Sequence, residues 1–193
     1  GTFGEIRNNL DSKIWAPTLL ESGYVFKQGN QAIEFSRDLS ANESLWNVTV
    51  EKCEEHRDKN NDNNNDNKCD FCNQKFTVCV ETTDKDGSTA KYSGLQGAFN
   101  ETQDGATVKL LADIPAGAQN AAYIVDGKQL TLDLNGKTIS GSGISATNGA
   151  NLTITGNGTV DGELTFDSKS TGKLSGGKFG KVVSNNSDKT LED

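Results

Sequence analysis

The sequence predicts a mainly β chain whose C-terminal part winds as a short parallel β-helix. Three observations carry that prediction. First, residues 129–179 repeat one pattern three times, in Leu130-Thr-Leu-Asp-Leu-Asn-Gly-Lys-Thr-Ile139, Leu152-Thr-Ile-Thr-Gly-Asn-Gly-Thr-Val160 and Leu174-Ser-Gly-Gly-Lys-Phe179. Aligning Leu132, Ile154 and Leu174 sets a short alternating segment, a Gly-rich turn and a second short strand in the same order, at spacings of 22 and 20 residues. Second, a unit that short cannot bury its own apolar face, so it must stack on copies of itself. Third, the 193 residues include 21 Gly but only 2 Pro, with many Asn, Asp, Ser and Thr, a composition for many turns and few long helices. Alternation points Leu130, Leu132, Leu134, Ile139, Ile144, Leu152, Ile154, Val160, Leu164, Phe166, Leu174 and Phe179 inward. The competing arrangement is an antiparallel meander turning at Asn135-Gly136 and Asn157-Gly158.

Taken in order, the chain divides into residues 1–50 (the end of a preceding repeat and a small β module), 51–75 (a Cys/His knuckle with an Asn/Asp-rich loop) and 76–193 (a strand, a capping helix and the coils). Its two ends are alike: Gly1-Thr-Phe-Gly-Glu-Ile6 matches Gly177-Lys-Phe-Gly-Lys-Val182. The expected arrangement is a tandem array cut at equivalent points, the chain being a piece of a longer protein and Gly1 to Ile6 the last coil of the preceding copy. That segment is expected to fray or to pack on a neighbouring copy's β-helix end. In the stretch from Asp11 to Phe26, Pro17 sits where a first helical turn tolerates it, and Leu19-Leu20 precede Gly23, a suitable helix stop. Residues 24–26, 32–35 and 45–50 read as short strands packed around Trp15 and Trp46. Residues 75–81 and 107–111 read as strands, and residues 84–87 as a turn. Ser93 is a suitable N-cap for a helix with Leu95, Ala98 and Phe99 on one face, predicted to close the open end of the coils over residues 93–102.

The most specific local signal is Cys53-x2-His56 followed by Cys69-x2-Cys72. Two short ligand pairs joined by a loop supply the four corners of a tetrahedral zinc site, and a full protein shell makes such a site structural. The rival reading pairs Cys53 with Cys69 and Cys72 with Cys79 as disulfides, or joins the four in another of the three connectivities. In the intervening Asn/Asp tract, Asp62, Asn64, Asp66 and Asp70 imitate the opening of a calcium loop. That imitation is incomplete, because Asn67 stands where such loops carry Gly and Asn73 where they carry Glu.

A net charge of −8 argues against nucleic acid as a partner. One His leaves little for imidazole catalysis, and no apolar run is long enough to span a bilayer. A polysaccharide-cleaving β-helix would gather carboxylates on neighbouring coils, yet the register-equivalent positions hold Asp133, Thr155 and Ser175. Asp161, Glu163 and Asp167 are close in sequence and also suit solvated turns. Asn42, Asn47, Asn100, Asn151 and Asn157 each open a glycosylation sequon.

Several stretches together resemble the repeat regions of large cell-wall-anchored surface proteins of Gram-positive, often gut-dwelling (Firmicute-type) bacteria. They are Gly1-Thr-Phe-Gly-x-Ile6, Leu19-Leu-x-x-Gly-Tyr-x-Phe26, the Cys-x2-His and Lys68-Cys-Asp-x-Cys72 knuckle, Leu110-Leu-Ala-Asp-Ile114, Leu132-Asp-Leu-Asn-Gly-Lys137 and Leu152-Thr-Ile-x-Gly-x-Gly-Thr-Val160. The resemblance implies right-handed, pectin-lyase-like β-helices without catalytic activity, serving as stalks or adhesins on the cell wall. It makes a host matrix protein, mucin-like glycoprotein or immunoglobulin the expected partner, with tandem copies of the chain in the full protein. A passive spacer is the alternative. The family's knuckle loop is shorter and contains Gly, and the Asn-rich expansion departs from it.

Overall fold

The structure, a computed structural model, describes residues 2–7, 14–15, 20, 23–28, 31–33, 38–39, 44–54, 56–59, 67–117 and 121–185. The chain forms two compact units, Gly1–Thr77 and Val78–Asp193.

In the first unit, strands β1 (Thr2–Arg7), β3 (Tyr24–Gln28), β4 (Gln31–Ala32) and β6 (Ser44–Lys52) make an antiparallel sheet in the order β1-β6-β3-β4. A second pair joins β2 (Ile14–Trp15) to β5 (Asp38–Leu39), and β7 (Arg57–Lys59) follows β6 in the chain. Alternation in β3 buries Phe26 with Ile33 and Val48 on one side and sends Val25 into the cysteine cluster on the other. The segment expected to fray or to pack on a neighbouring copy does not fray: Thr2–Arg7 is β1, an edge strand paired with β6 from Thr2↔Thr49 to Arg7↔Ser44. Ahead of Pro17, Ile14 and Trp15 form β2; the helix expected between Pro17 and Gly23 falls largely outside the described residues, as do the Trp15 and Trp46 side chains.

The second unit is a β-solenoid of four coils. It opens with the hairpin β8 (Val80–Thr83) and β9 (Thr89–Tyr92), turned at Gly87 (φ +84°), and with helix α1 (Leu95–Glu101). The first coil is β10 (Thr107–Leu110) and β11 (Tyr123–Asp126). The second is β12 (Gln129–Asp133), β13 (Thr138–Ile139) and β14 (Ile144–Thr147). The third is β15 (Asn151–Thr155) and β16 (Thr159–Phe166), and the fourth is β17 (Thr171–Leu174) and β18 (Lys178–Ser184). Every coil-to-coil pairing is parallel, which excludes the meander. At Asn135-Gly136 both residues are left-handed (φ +46° and +73°), a geometry that suits a two-residue hairpin. Here it turns the chain from β12 toward β13, in a different sheet.

Parallel register stacks like positions into columns. Val108, Leu132, Ile154 and Leu174 form one, and Ile114, Ile139, Val160 and Phe179 another. Ten of the twelve residues read as inward are buried; Leu174 and Phe179, in the last coil, are half-buried because no described coil covers them. One column changes size in step with its neighbour: Leu130 and Leu152 are followed by Gly172, where the ring of Phe166 fills the space a side chain would take. A Gly172→Ala methyl would collide with that ring. The expected loss is about 1–3 kcal/mol of unfolding free energy by denaturant titration, relieved when Phe166→Leu is added.

The corners of the coils leave backbone amides outside the ladders, and aspartates satisfy them. Asp104 accepts from Gln129 N–H (2.6 Å), Asp113 from Thr138 N–H (2.8 Å), and Asp167 from the amides of Asn148, Lys169 and Ser170. The Ser170 hydroxyl foremost, then these amides, lowers the Asp167 carboxyl to about 2. Its folded value lies below the usual ~3.9, so its contribution is present above that value and is lost as pH falls toward 2. Carboxyl-carbon NMR should place the Asp167 midpoint near 2. Asp167→Asn should flatten the part of the stability profile between about pH 4 and pH 2.

Helix α1 buries Leu95, Ala98 and Phe99, as its spacing requires, but its N-cap is Gly94 rather than Ser93 and makes no side-chain capping bond. Its C-terminal carbonyls are held by Lys128, whose Nζ donates to Phe99, Asn100 and Thr102 at 2.6–2.9 Å. Burial lowers the Lys128 pKa, partly offset by Asp104, Asp84 and Glu101. The strand expected over residues 75–81 begins only at Val80; Lys75 instead bridges Lys68.

Candidate metal centre

Cys53 leaves the end of β6 with its N–H on the Gly23 carbonyl (2.8 Å). His56 follows at helical-turn distance in sequence, just before β7. The second ligand pair sits on a tight reversal of residues 68–75. There, Cys69 N–H meets Gln74 O (3.0 Å), Asn73 N–H meets Cys69 O (2.8 Å), and Asn73 takes φ +56°. The two halves are tied by Asp70 N–H to Arg57 O (2.9 Å) and by Asn67 N–H to the buried Asp58 carboxylate (2.9 Å). That last bond closes the base of the Asn/Asp tract.

The result brings Cys53, His56, Cys69 and Cys72 together with all four ligand atoms within 4.8 Å of one another, and the group can hold a metal ion. Cys53 Sγ and Cys69 Sγ are 3.9 Å apart, and Cys72 Sγ is 3.5 Å from His56 Nδ1. A tetrahedral ion bonded to sulfur at about 2.3 Å and to nitrogen at about 2.0–2.1 Å requires edges of about 3.8 Å and 3.6 Å. A disulfide requires about 2.05 Å. All four cysteines are free thiols, so neither bond of the disulfide reading is formed, and Cys79 belongs to the second unit.

Electrostatics favour a cation at this point. The cysteines are buried at 6 %, 2 % and 1 % exposure. Hydrogen bonds from Cys53 and Cys72, joined by the Phe71 and Arg57 amides, pull the Cys69 thiol far below its ordinary pKa. The Cys53 thiol is pushed up by its contacts with Cys69 and Cys72 and by burial. Three sulfurs so close cannot all ionise unless a positive ion joins them. The surroundings are ordered to match: Arg57 lies 4.1 Å over the Phe71 ring and 3.7 Å from the Asp70 carboxylate, and His56 stacks on Phe76 at 5.7 Å. Sequence reasoning missed Arg57, Phe71 and Phe76; their only sequence signal is adjacency to ligands.

Of the calcium-loop residues, Asp62, Asn64 and Asp66 lie outside the described residues. The Asp70 carboxylate accepts from Lys59 N–H at 3.0 Å and faces Arg57. Of the acidic residues of the coils, Glu163 pairs with Lys181 at 3.2 Å and Asp167 is held by turn amides. Asp133 stands in register between Lys109 and Thr155. No protein-family profile, curated protein or solved structure matches the chain.

Proposed function

We propose that the chain is a non-enzymatic repeat module of a bacterial cell-surface protein, adhesin-like, with a structural zinc ion in its first unit and a host-binding surface on its coils. The zinc assignment is supported by the ligand set. Three sulfurs and one imidazole suit zinc, and a shell closed by four protein ligands leaves no position for substrate. Helix α1 and the hairpin β8–β9 are read as the cover on the first coil's open end.

The observation that carries the binding reading is the outer column Thr107, Thr131, Thr153 and Lys173. Parallel register sets these side chains at one strand spacing, about 4.8 Å, on a rigid face. Such a flat polar ladder suits contact with a glycoprotein, matrix protein or immunoglobulin. The extracellular, wall-attached location rests on the sequence resemblance. Linked copies would add avidity by raising effective concentration. The test is equilibrium binding of the zinc-loaded chain to mucin, matrix protein and immunoglobulin. Saturable binding that Thr131→Lys and Thr153→Lys abolish supports the reading. Absence of saturable binding across the panel leaves the passive spacer.

A further inference from the structure

Strand β1 and strand β18 carry similar sequences in two settings. Gly1, Phe3 and Gly4 recur as Gly177, Phe179 and Gly180, Ile6 recurs as Val182, and both strands begin at the equivalent residue, Thr2 and Lys178. Each strand is paired along one edge only among the described residues, and the two pairings differ. β18 runs parallel to β16, from Thr159↔Lys178 to Phe166↔Ser184, and is the last described strand of the solenoid. β1 runs antiparallel to β6 and ends the four-stranded sheet. Each therefore displays the partner that the other lacks. An open edge backed by half-buried Leu174, Phe179 and Val182 is a template for another strand.

We propose that residues 178–183 are a shared strand. They close the last coil of one copy and at the same time form the first strand of the antiparallel sheet in a second copy of this chain. The inference rests on the tandem reading of the two chain ends, not on any ligand. Transferring the β1–β6 register sets Phe179 opposite Val48 of the next copy, Lys181 opposite its Trp46 and Val182 opposite its Leu45. Successive copies then meet through a continuous backbone ladder with no linker. The solenoid end is covered by the following module, and the first sheet of each module is completed by the preceding one.

The experiment joins two copies so that Val183 of the first is followed directly by Asn8 of the second, which leaves the second copy without its own β1. Hydrogen exchange of the β6 peptide, read by mass spectrometry, reports on both copies at once. A single slow isotope envelope, matching the unmodified chain, is the expected result. Two equal envelopes, one of them fast, would overturn the proposal, because the second β6 would then be uncovered. Val182→Pro placed only at the junction removes a ladder N–H and should create the second, fast envelope. The same substitution in the single chain should leave β6 slow. If the junction variant also stays slow, β6 does not depend on the shared strand and the proposal fails. Slow exchange in β12 and β15 reports separately that the coils have folded.

Discussion

Chelating the metal from the purified chain is expected to unfold the first unit while the coils remain folded. Among the described residues, the buried cluster of Val25, Cys53, Cys69 and Cys72 has only Ala32, Phe71 and Phe76 packed around it. A core that small does not persist once its central ion is gone. In zinc-finger peptides, structural zinc contributes an apparent binding energy of about 10–16 kcal/mol near neutral pH, and that energy is folding energy. Cys69→Ser should behave as the chelated protein does, because it removes one of the four grouped ligands. The check is hydrogen exchange of β3 and β6 together with thiol titration and metal analysis. Loss of protection in β3 and β6, with one metal released per chain, is the expected outcome. Unchanged protection without bound metal would show that hydrogen bonding alone holds the knuckle.

The second large effect is expected at Ile154. Its side chain is fully buried in the column between Leu132 and Leu174. Ile154→Asp would put a carboxylate where no polar partner or water can reach it, at a cost beyond about 4–5 kcal/mol, enough to unwind the coils. Ile154→Val should cost only about 0.5–1.5 kcal/mol. Thr153→Asp, one residue away on the outer face, should stay within about 0.5 kcal/mol of the parent. Thermal unfolding of the three variants separates them, and a severe Thr153→Asp with a mild Ile154→Asp would mean the inward and outward faces are reversed.

The coils were legible because two periods coincide in residues 129–179, alternation within a strand and recurrence of whole turns. Leu132, Ile154 and Leu174 align in sequence and are in register in space. The first coil was harder to see. Val108 lies 24 residues before Leu132, and between them come Ile114 and the strand Tyr123–Asp126. That strand has no alternation strong enough to mark it, and only stacking on Ile144–Thr147 makes it a strand. At the knuckle the four ligands were legible because their chemistry constrains local spacing. The Arg57–Phe71 stack was not, because it depends on how two distant turns close on each other. Ser93 failed as a cap because the chain enters α1 through extended Gly94, one residue later than the propensity suggests.

The short offset between stacked partners has a bearing on how this chain acquires its shape. Partners in adjoining turns are separated by only about two dozen residues, so each closure loop is small and its entropic penalty modest. Winding can therefore follow emergence of the polypeptide, each new rung seating on the one before it, without waiting for the C-terminus. The hairpin, the helix and the first rung come earliest in this unit and form its seed; the rungs that follow extend it in the direction of synthesis.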